Sequence, residues 1–246
     1  MSHKEFILKE GAFVIADAHY SLQNSHFYNF LEAIISKKLQ PTQLILLGDI
    51  FDALFGEIKQ THKQNFKAIN LLNELSKSLE IIYFEGNHDF NLKELFPKIT
   101  ILSRQEQPTL FLFESKKVAL LHGDYKMGFG YEIFSFLIRN YFILKILEGI
   151  NFLCFNCVVK KLYRHLDKKD NCKKIAKFYD IIKHRYTNKN GFDFIIEGHF
   201  HQNRSFDFNG FVYINLASFA CNQRYFIVKS TQDNKLTVEE KLYKEM

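Results

Sequence analysis

The 246-residue chain has no tryptophan, three prolines, 11 glycines and four cysteines. So little proline and glycine argues against linkers and low-complexity segments. No uncharged apolar run reaches the roughly 20 residues a membrane-spanning helix needs. The longest apolar stretch, 133–159, is interrupted by Arg139, Lys145 and Glu148. The opening segment MSHKEFILKEG lacks the apolar region of a secretory signal, which predicts a cytoplasmic protein with reduced thiols. Cys154 and Cys157 form a lone CxxC inside the apolar run FLCFNCVV, and are expected to be two buried thiols on a helix. No repeat at solenoid spacing is present, and one domain over 1–246 is expected.

What is present is uneven. The formal net charge is +6. Residues 125–190 carry 14 Lys/Arg against 5 Asp/Glu, a net of +9, so the rest of the chain is −3. Positive charge confined to one segment suggests an anionic partner, although any single lysine there can equally belong to a solvated helix face.

Five apolar runs each end in a carboxylate, asparagine or histidine: FVIADAH, LILLGDIFD, IIYFEGNHD, VALLHGD and FIIEGHFH. The first three alternate with amphipathic helical patterns around Asn24–Lys38 and Lys59–Ser78, with a short helix near Leu92–Phe96. This βαβαβ order predicts an α/β fold with a largely parallel sheet. TLFLF and KKVALLHG flank the charged turn ESKK as a hairpin. Helical patterns follow at about Gly130–Glu148, Ile150–Leu166 and Cys172–Tyr186, with breaks at Gly149 and at Asp167–Asn171. Strands return after FIIEG, joined by turns at Asn209–Gly210 and Asp233–Asn234.

Parallel strands deliver their C-terminal ends to one crevice. Asp17 and His19, like His199 and His201, are spaced i and i+2, so each pair can share a face at a strand end. With Asp49, Asn87 and His122 they form a set of hard oxygen and borderline nitrogen donors suited to a pair of divalent metals. A lone DxH or GNH is weak; five such motifs in order, each after an apolar run, are not. His88 is a candidate general acid, which needs a partner to orient its ring. Asp89 and Asp124 suit roles behind the ligands.

The series DxH, GDxxD, GNHD, HGD and GHxH resembles the calcineurin-like metallophosphoesterases from about Phe13 to Leu216. The resemblance implies a four-layer α/β/β/α metallophosphoesterase sandwich with a helical lid insertion. It implies one metal on Asp17, His19, Asp49 and His201, and a second on Asp49, Asn87, His122 and His199. It also implies that His88 contacts the phosphate and protonates the leaving oxygen, with Asp52 orienting it. The two divalent ions are expected to be Mn²⁺, with Mg, Zn and Fe also suited to the donors.

The family cleaves phosphoproteins, cyclic nucleotides, nucleic acids, dinucleotides and lipid-linked diphosphates. His199 follows His122 by 77 positions, and the basic, phenylalanine-rich insertion at about 126–190 fills the gap. Phe129, Phe134, Phe136, Phe142, Phe152 and Phe155 supply apolar area, and Lys160, Lys161, Arg164, Lys168, Lys169, Lys173 and Lys174 supply charge. Such a segment can lie on an anionic membrane or cap an acyl pocket. The insertion is similar to that of the branch acting on UDP-2,3-diacylglucosamine in lipid A biosynthesis. That similarity implies a nucleotide-linked lipid substrate, Tyr131, Arg164, Lys173 and Lys174 as substrate contacts, and a peripheral place on the cytoplasmic face of the inner membrane. His88 and Gln202 stand where the best-known members of that branch carry arginine. A metallophosphoesterase acting on a soluble phosphodiester, nucleotide or phosphoprotein stays open as an alternative, as does a metal-free scaffold on the same fold. Phenylalanines embedded in apolar runs do not suit a nucleic-acid stacking surface, and no nucleic-acid partner is expected.

Overall fold

Side chains alternate across a strand, so a run buried on both faces must satisfy two neighbours at once. The computed structural model describes residues 6–186, 191–208, 210–231 and 236–243. The first half comprises β1 (Phe6–Ile7), β2 (Phe13–Ile15), α1 (His26–Ile35), β3 (Leu44–Leu47), β4 (Leu54–Phe55), α2 (Lys59–Leu75), β5 (Ile81–Phe84), β6 (Asp89–Phe90) and β7 (Thr100–Leu102). β8 (Thr109–Phe113) and β9 (Lys116–Leu121) form the expected antiparallel hairpin. Four helices follow: α3 (Phe129–Ile138), α4 (Tyr141–Leu153), α5 (Cys157–Leu166) and α6 (Phe178–Arg185). The chain then runs through β10 (Phe194–Glu197), β11 (Arg204–Phe208), β12 (Phe211–Asn215), α7 (Phe219–Asn222), β13 (Arg224–Ser230) and β14 (Leu236–Leu242).

Two six-stranded sheets result, in the orders β1-β8-β9-β10-β12-β11 and β14-β13-β2-β3-β5-β7. β2, β3 and β5 are parallel, as are β9 and β10. Val14, Ile45, Leu47, Ile82 and Phe84 of one sheet meet Phe111, Val118, Leu120 and Ile196 of the other in a shared core. The alternate residues Ile15, Leu44, Leu46 and Tyr83 pack on Phe27, Phe30 and Leu31 of α1 and on Ala68 and Leu72 of α2. On the far side Ala119, Leu121, Ile195 and Tyr213 pack on Phe178 and Ile182 of α6. The layers are thus α/β/β/α, and the fourth layer comes from the end of the insertion.

Several boundaries differ from the sequence expectation. Leu92–Phe96 is a single turn rather than a helix, since Pro97 lacks a backbone donor and disfavours helical backbone just before it. The first lid break falls at Arg139–Asn140, not at Gly149: the Asn140 side chain accepts from Phe142 N and Ile143 N and so starts α4, which runs through Gly149. The next break is at Phe155–Asn156, both in the left-handed region. The turn residues Asn209, Asp233 and Asn234 lie outside the described residues. The cysteines are paired, contrary to the expected reduced thiols. Cys154 and Cys157 are bonded across the α4–α5 break, and Cys172 is bonded to Cys221 where the segment before α6 lies on α7.

Phe84→Ala, in the core between the sheets, is expected to lower the free energy of unfolding by about 3–5 kcal/mol in denaturant titrations. Phe136→Ala, whose ring is 69% exposed on α3, should change it by less than about 0.5 kcal/mol.

Candidate metal centre

Each predicted ligand sits at or just beyond the C-terminal end of a parallel strand: Asp17 and His19 after β2, Asp49 after β3, Asn87 after β5, His122 after β9, and His199 and His201 after β10. β2, β3 and β5 belong to one sheet and β9 and β10 to the other, so the residues meet on the seam between them. The seam is closed by hydrogen bonds. His199 N donates to Asp17 Oδ2 at 2.9 Å and His122 Nδ1 donates to Leu47 O at 2.9 Å.

Close approach explains the glycines of the motifs. A Cβ on Gly48 would lie 2.5 Å from His122 Nδ1, one on Gly86 would lie 2.3 Å from Asp49 Oδ1, and one on Gly198 would lie 2.6 Å from Asp17 Oδ2. Each motif leaves space for the ligand of another. Asp17, His19, Asp49, His199 and His201 all have φ between 43° and 59°. A non-glycine residue there costs about 1–2 kcal/mol, which the surrounding hydrogen bonds must offset.

Three clusters offer donor atoms within 4.8 Å of one another: Asp17, His19 and His201; Asp49, His122 and His199; and His19, Asp52 and His88. His201 Nε2 lies 2.9 Å from Asp17 Oδ1, and His122 Nε2 lies 3.5 Å from Asp49 Oδ2 and 3.3 Å from Asn87 Oδ1. The other ring nitrogens of His122 and His201 are engaged by the carbonyls of Leu47 and Asn171, which directs both Nε2 atoms at the carboxylates. His19 is 2% exposed, yet neither ring nitrogen makes a hydrogen bond; Nδ1 is 3.2 Å from Asp52 Oδ1 without the geometry of one. Buried polar atoms without partners are costly, and a cation at this point would satisfy them. Carboxylate, imidazole and amide donors converging in this way fit divalent metal ions.

The electrostatics agree. Burial disfavours a charged His122, but Asp49 and Asp17 outweigh it and raise the imidazole to about 10. Burial, with His122 beside it, pushes His199 down to about 3. Burial opposes ionisation of Asp49, yet the His122 imidazolium beside it holds its carboxyl well below the usual range. The protein therefore keeps its carboxylates ionised by placing positive charge among them, which is what a bound cation also does.

Behind the ligands, Asp89 accepts from the backbone N–H of Asp49, Ile50, Phe51 and Gly86 and from Tyr83 Oη. It shapes the loop that carries Asp49. Asp124 accepts from Arg104 Nε, Arg139 Nη2 and Tyr131 Oη, and Arg139 also donates to Gly86 O. This group ties α3 and Arg139, the residue that follows it, to the GNHD and HGD motifs.

His88 is buried, and its Nδ1 donates to the backbone carbonyl of Asp52 at 2.7 Å. Asp52 does hold this ring, through its carbonyl, while its carboxylate faces His19. The expected substrate contacts divide. Tyr131 is committed to Asp124. Arg164 bonds the Lys160 carbonyl of its own helix on an exposed face and makes no described contact with the cluster. Lys173 accepts from Gln202 Nε2 through its carbonyl. Lys174 Nζ reaches His201 O and Gln202 O, both at 3.4 Å. The cation that enters the cluster is Lys169, whose Nζ is 3.1 Å from His88 Nε2. Nothing in DKKDN separates Lys169 from Lys168, so its role was hidden until the segment was folded over the site.

The family model described as Calcineurin-like phosphoesterase matches residues 12–203. A UDP-2,3-diacylglucosamine hydrolase of Coxiella burnetii (strain Dugway 5J108-111) is 32% identical over 45% of this chain and 45% of its own length, so the match spans under half of that relative. One of Haemophilus influenzae (strain PittGG) is 27% identical over 86% of this chain and 91% of its own. Among solved structures, the E. coli phosphoesterase YfcE aligns over 94% of this chain and 98% of its own, at 14% identity and a TM-score of 0.46.

Gly86→Ala is expected to displace the Asp49 carboxylate. Metal affinity measured by calorimetry should fall, and turnover should fall about 100-fold, the scale of a misplacement of about 1 Å. Unchanged affinity would show that the glycine is not there to make room for Asp49.

Proposed function

The chain belongs to the calcineurin-like phosphoesterase family, a metal-dependent hydrolase of phosphoric esters, and from that membership we propose that it splits the diphosphate of a nucleotide-linked lipid. The substrate proposed is UDP-2,3-diacylglucosamine and the products are UMP and 2,3-diacylglucosamine 1-phosphate, the substrate being the one in the names of its relatives. Asp17, His19, Asp49 and His201 would hold one divalent ion, and Asp49, Asn87, His122 and His199 a second. When bound, such a pair supplies Lewis acidity toward the phosphoryl group and activates the attacking water. Asp49 joins the two halves of the site. His88, its Nδ1 held by Asp52 O, turns Nε2 toward the substrate phosphate and the leaving oxygen. Asp89 and the Asp124 group keep the Asp49 loop and the lid base in register.

The observation that carries the lipid reading is the outer surface of the insertion. On α3, Phe129, Ile133, Phe136 and Leu137 are exposed, and on α4 so are Phe142, Ile146, Ile150 and Leu153. These positions follow helical spacing, so each helix turns an apolar stripe to solvent. Phe152 and Phe155 add rings that are 78% and 83% exposed. Among the described residues of α3 to α5, only Ser135, Leu144, Asn151 and Val159 are buried. A stripe this large on a folded chain marks a surface that meets something apolar. The next helix, α5, carries the exposed Lys160 and Lys161, which suits an anionic membrane carrying an acylated substrate. Among the described residues no single helix is long and apolar enough to cross a membrane. Peripheral attachment at the cytoplasmic face of the inner membrane follows as part of the proposal.

With Mn²⁺ added, purified protein is expected to release UMP from UDP-2,3-diacylglucosamine. Failure to do so while an aryl phosphodiester is cut would refute the lipid assignment and leave the family chemistry intact. Asp49→Ala should abolish both reactions and the binding of metal. Replacing Phe142, Phe152 and Phe155 together with serine should cut sedimentation with anionic vesicles at least fivefold without lowering the melting temperature, because those side chains carry little of the core; unchanged sedimentation would remove the membrane from the proposal.

A further inference from the structure

The segment between α5 and α6 lies across the last motif and is fastened to it at several points. His201 Nδ1 donates to Asn171 O, Gln202 Oε1 accepts from Ile175 N, Gln202 Nε2 donates to Lys173 O, and Lys174 Nζ donates to His201 O. Cys172 is bonded to Cys221 of α7. A lysine carried by so tethered a segment is aimed. Lys169 stands at its start, and its Nζ lies 3.1 Å from His88 Nε2.

The geometry also decides which atom donates. A carbonyl can only accept, so His88 Nδ1 carries its proton toward Asp52 O. The Nε2 atom of a neutral ring then holds its lone pair toward Lys169, whose ammonium has three donors. One donor occupies His88 and the others remain for an incoming anion. His88 Nε2 is 4.0 Å from Asp49 Oδ2, so the ammonium sits at the edge of the candidate metal cluster.

We propose that Lys169 is a positioning and specificity residue: held against His88, its ammonium receives the second phosphoryl group of a diphosphate and so favours a phosphate over an alcohol as leaving group. The inference rests on the diphosphate reading above and adds the residue that selects it. In the hydrolysis, a bond forms between water oxygen and phosphorus, and the bond from phosphorus to the bridging oxygen breaks. The electron pair stays on that oxygen, which departs in a phosphate monoester, and the water protons pass to solvent. A phosphate monoester, with its second pKa near about 6, leaves as an anion and requires countercharge rather than a proton. An alkoxide requires the proton instead. A fixed ammonium beside His88 therefore serves the first kind of leaving group more than the second.

The test compares Lys169→Met, Lys169→Arg and the wild type on UDP-2,3-diacylglucosamine and on bis(p-nitrophenyl) phosphate. Lys169→Met is expected to lower kcat/KM for the diphosphate about 10–100-fold, the scale of one charge-assisted hydrogen bond. Its loss on the aryl diester should be at least ten times smaller, and Lys169→Arg should recover most of the difference. As a second arm, inorganic pyrophosphate is used as an inhibitor of aryl diester hydrolysis, and its Ki should rise at least fivefold in Lys169→Met. A third readout uses metal-free protein, in which the ¹⁵N resonance of His88 Nε2 should move in Lys169→Met and stay in Lys177→Met. Equal losses on both substrates with an unchanged Ki would overturn the proposal and make Lys169 a structural residue. If the wild type leaves the lipid uncut while the Ki still depends on Lys169, the lipid reading fails and diphosphate recognition by Lys169 stands.

Discussion

The structure depends on a clamp between its two sheets, in which His122 of one and Asp49 of the other face each other in a buried seam. Taking either group out of water alone would be expensive, and together they are tolerated because each satisfies the other. The clamp is braced on both sides. His122 is tied by its second nitrogen to the carbonyl of Leu47, and Asp49 sits on a loop wrapped around the Asp89 carboxylate. Asp17 repeats the arrangement one strand away, accepting from His199 N and pairing with His201. The apolar core between the sheets sets their spacing, and the polar seam at its rim is where that spacing becomes chemistry.

The insertion contributes in two places. Its last part, from Lys169 to α6, is bound into the body through Gln202, His201 and the packing of Phe178 and Ile182, and it brings a cation to the candidate metal cluster. Its first part, α3 to α5, is held at its base by the Asp124 group and by Tyr163 Oη on Ala53 O. Beyond that base it turns apolar side chains outward, contrary to the ordinary expectation that phenylalanines in amphipathic helices pack inward. One segment thus links the candidate metal cluster to an exposed apolar surface.

Much of this was legible in the chain. Apolar runs ending in Asp, Asn or His reveal parallel strand ends, because burial on both faces demands a continuous apolar run and the crevice lies where that run stops. All seven predicted ligand residues and His88 do converge. Other features were illegible for local reasons. The break at Asn140 depends on a side-chain cap, while Gly149 inside α4 costs only about 1 kcal/mol against alanine and does not end the helix. The short helix expected at Leu92–Phe96 loses to Pro97. The CxxC of Cys154 and Cys157 is visible in the spacing, but its pairing depends on a helix break, and that of Cys172 with Cys221 on the lie of the segment over α7. Arg164 and Lys169 belong to the same basic run, yet one bonds its own helix and the other His88.

By itself the sequence determined the donor set, the order of the strands that present it and the excess charge and aromatic mass of the insertion. These follow from residue type and period, which are properties of neighbours along the chain. Only the tertiary structure decided which motif glycine makes room for which candidate ligand, that Asp52 orients His88 through its carbonyl, that Lys169 reaches His88 and which way the phenylalanines of the insertion face. Those outcomes depend on contacts between residues far apart in the chain, such as Lys169 with His88 and His122 with Leu47, for which residue type and spacing hold no record.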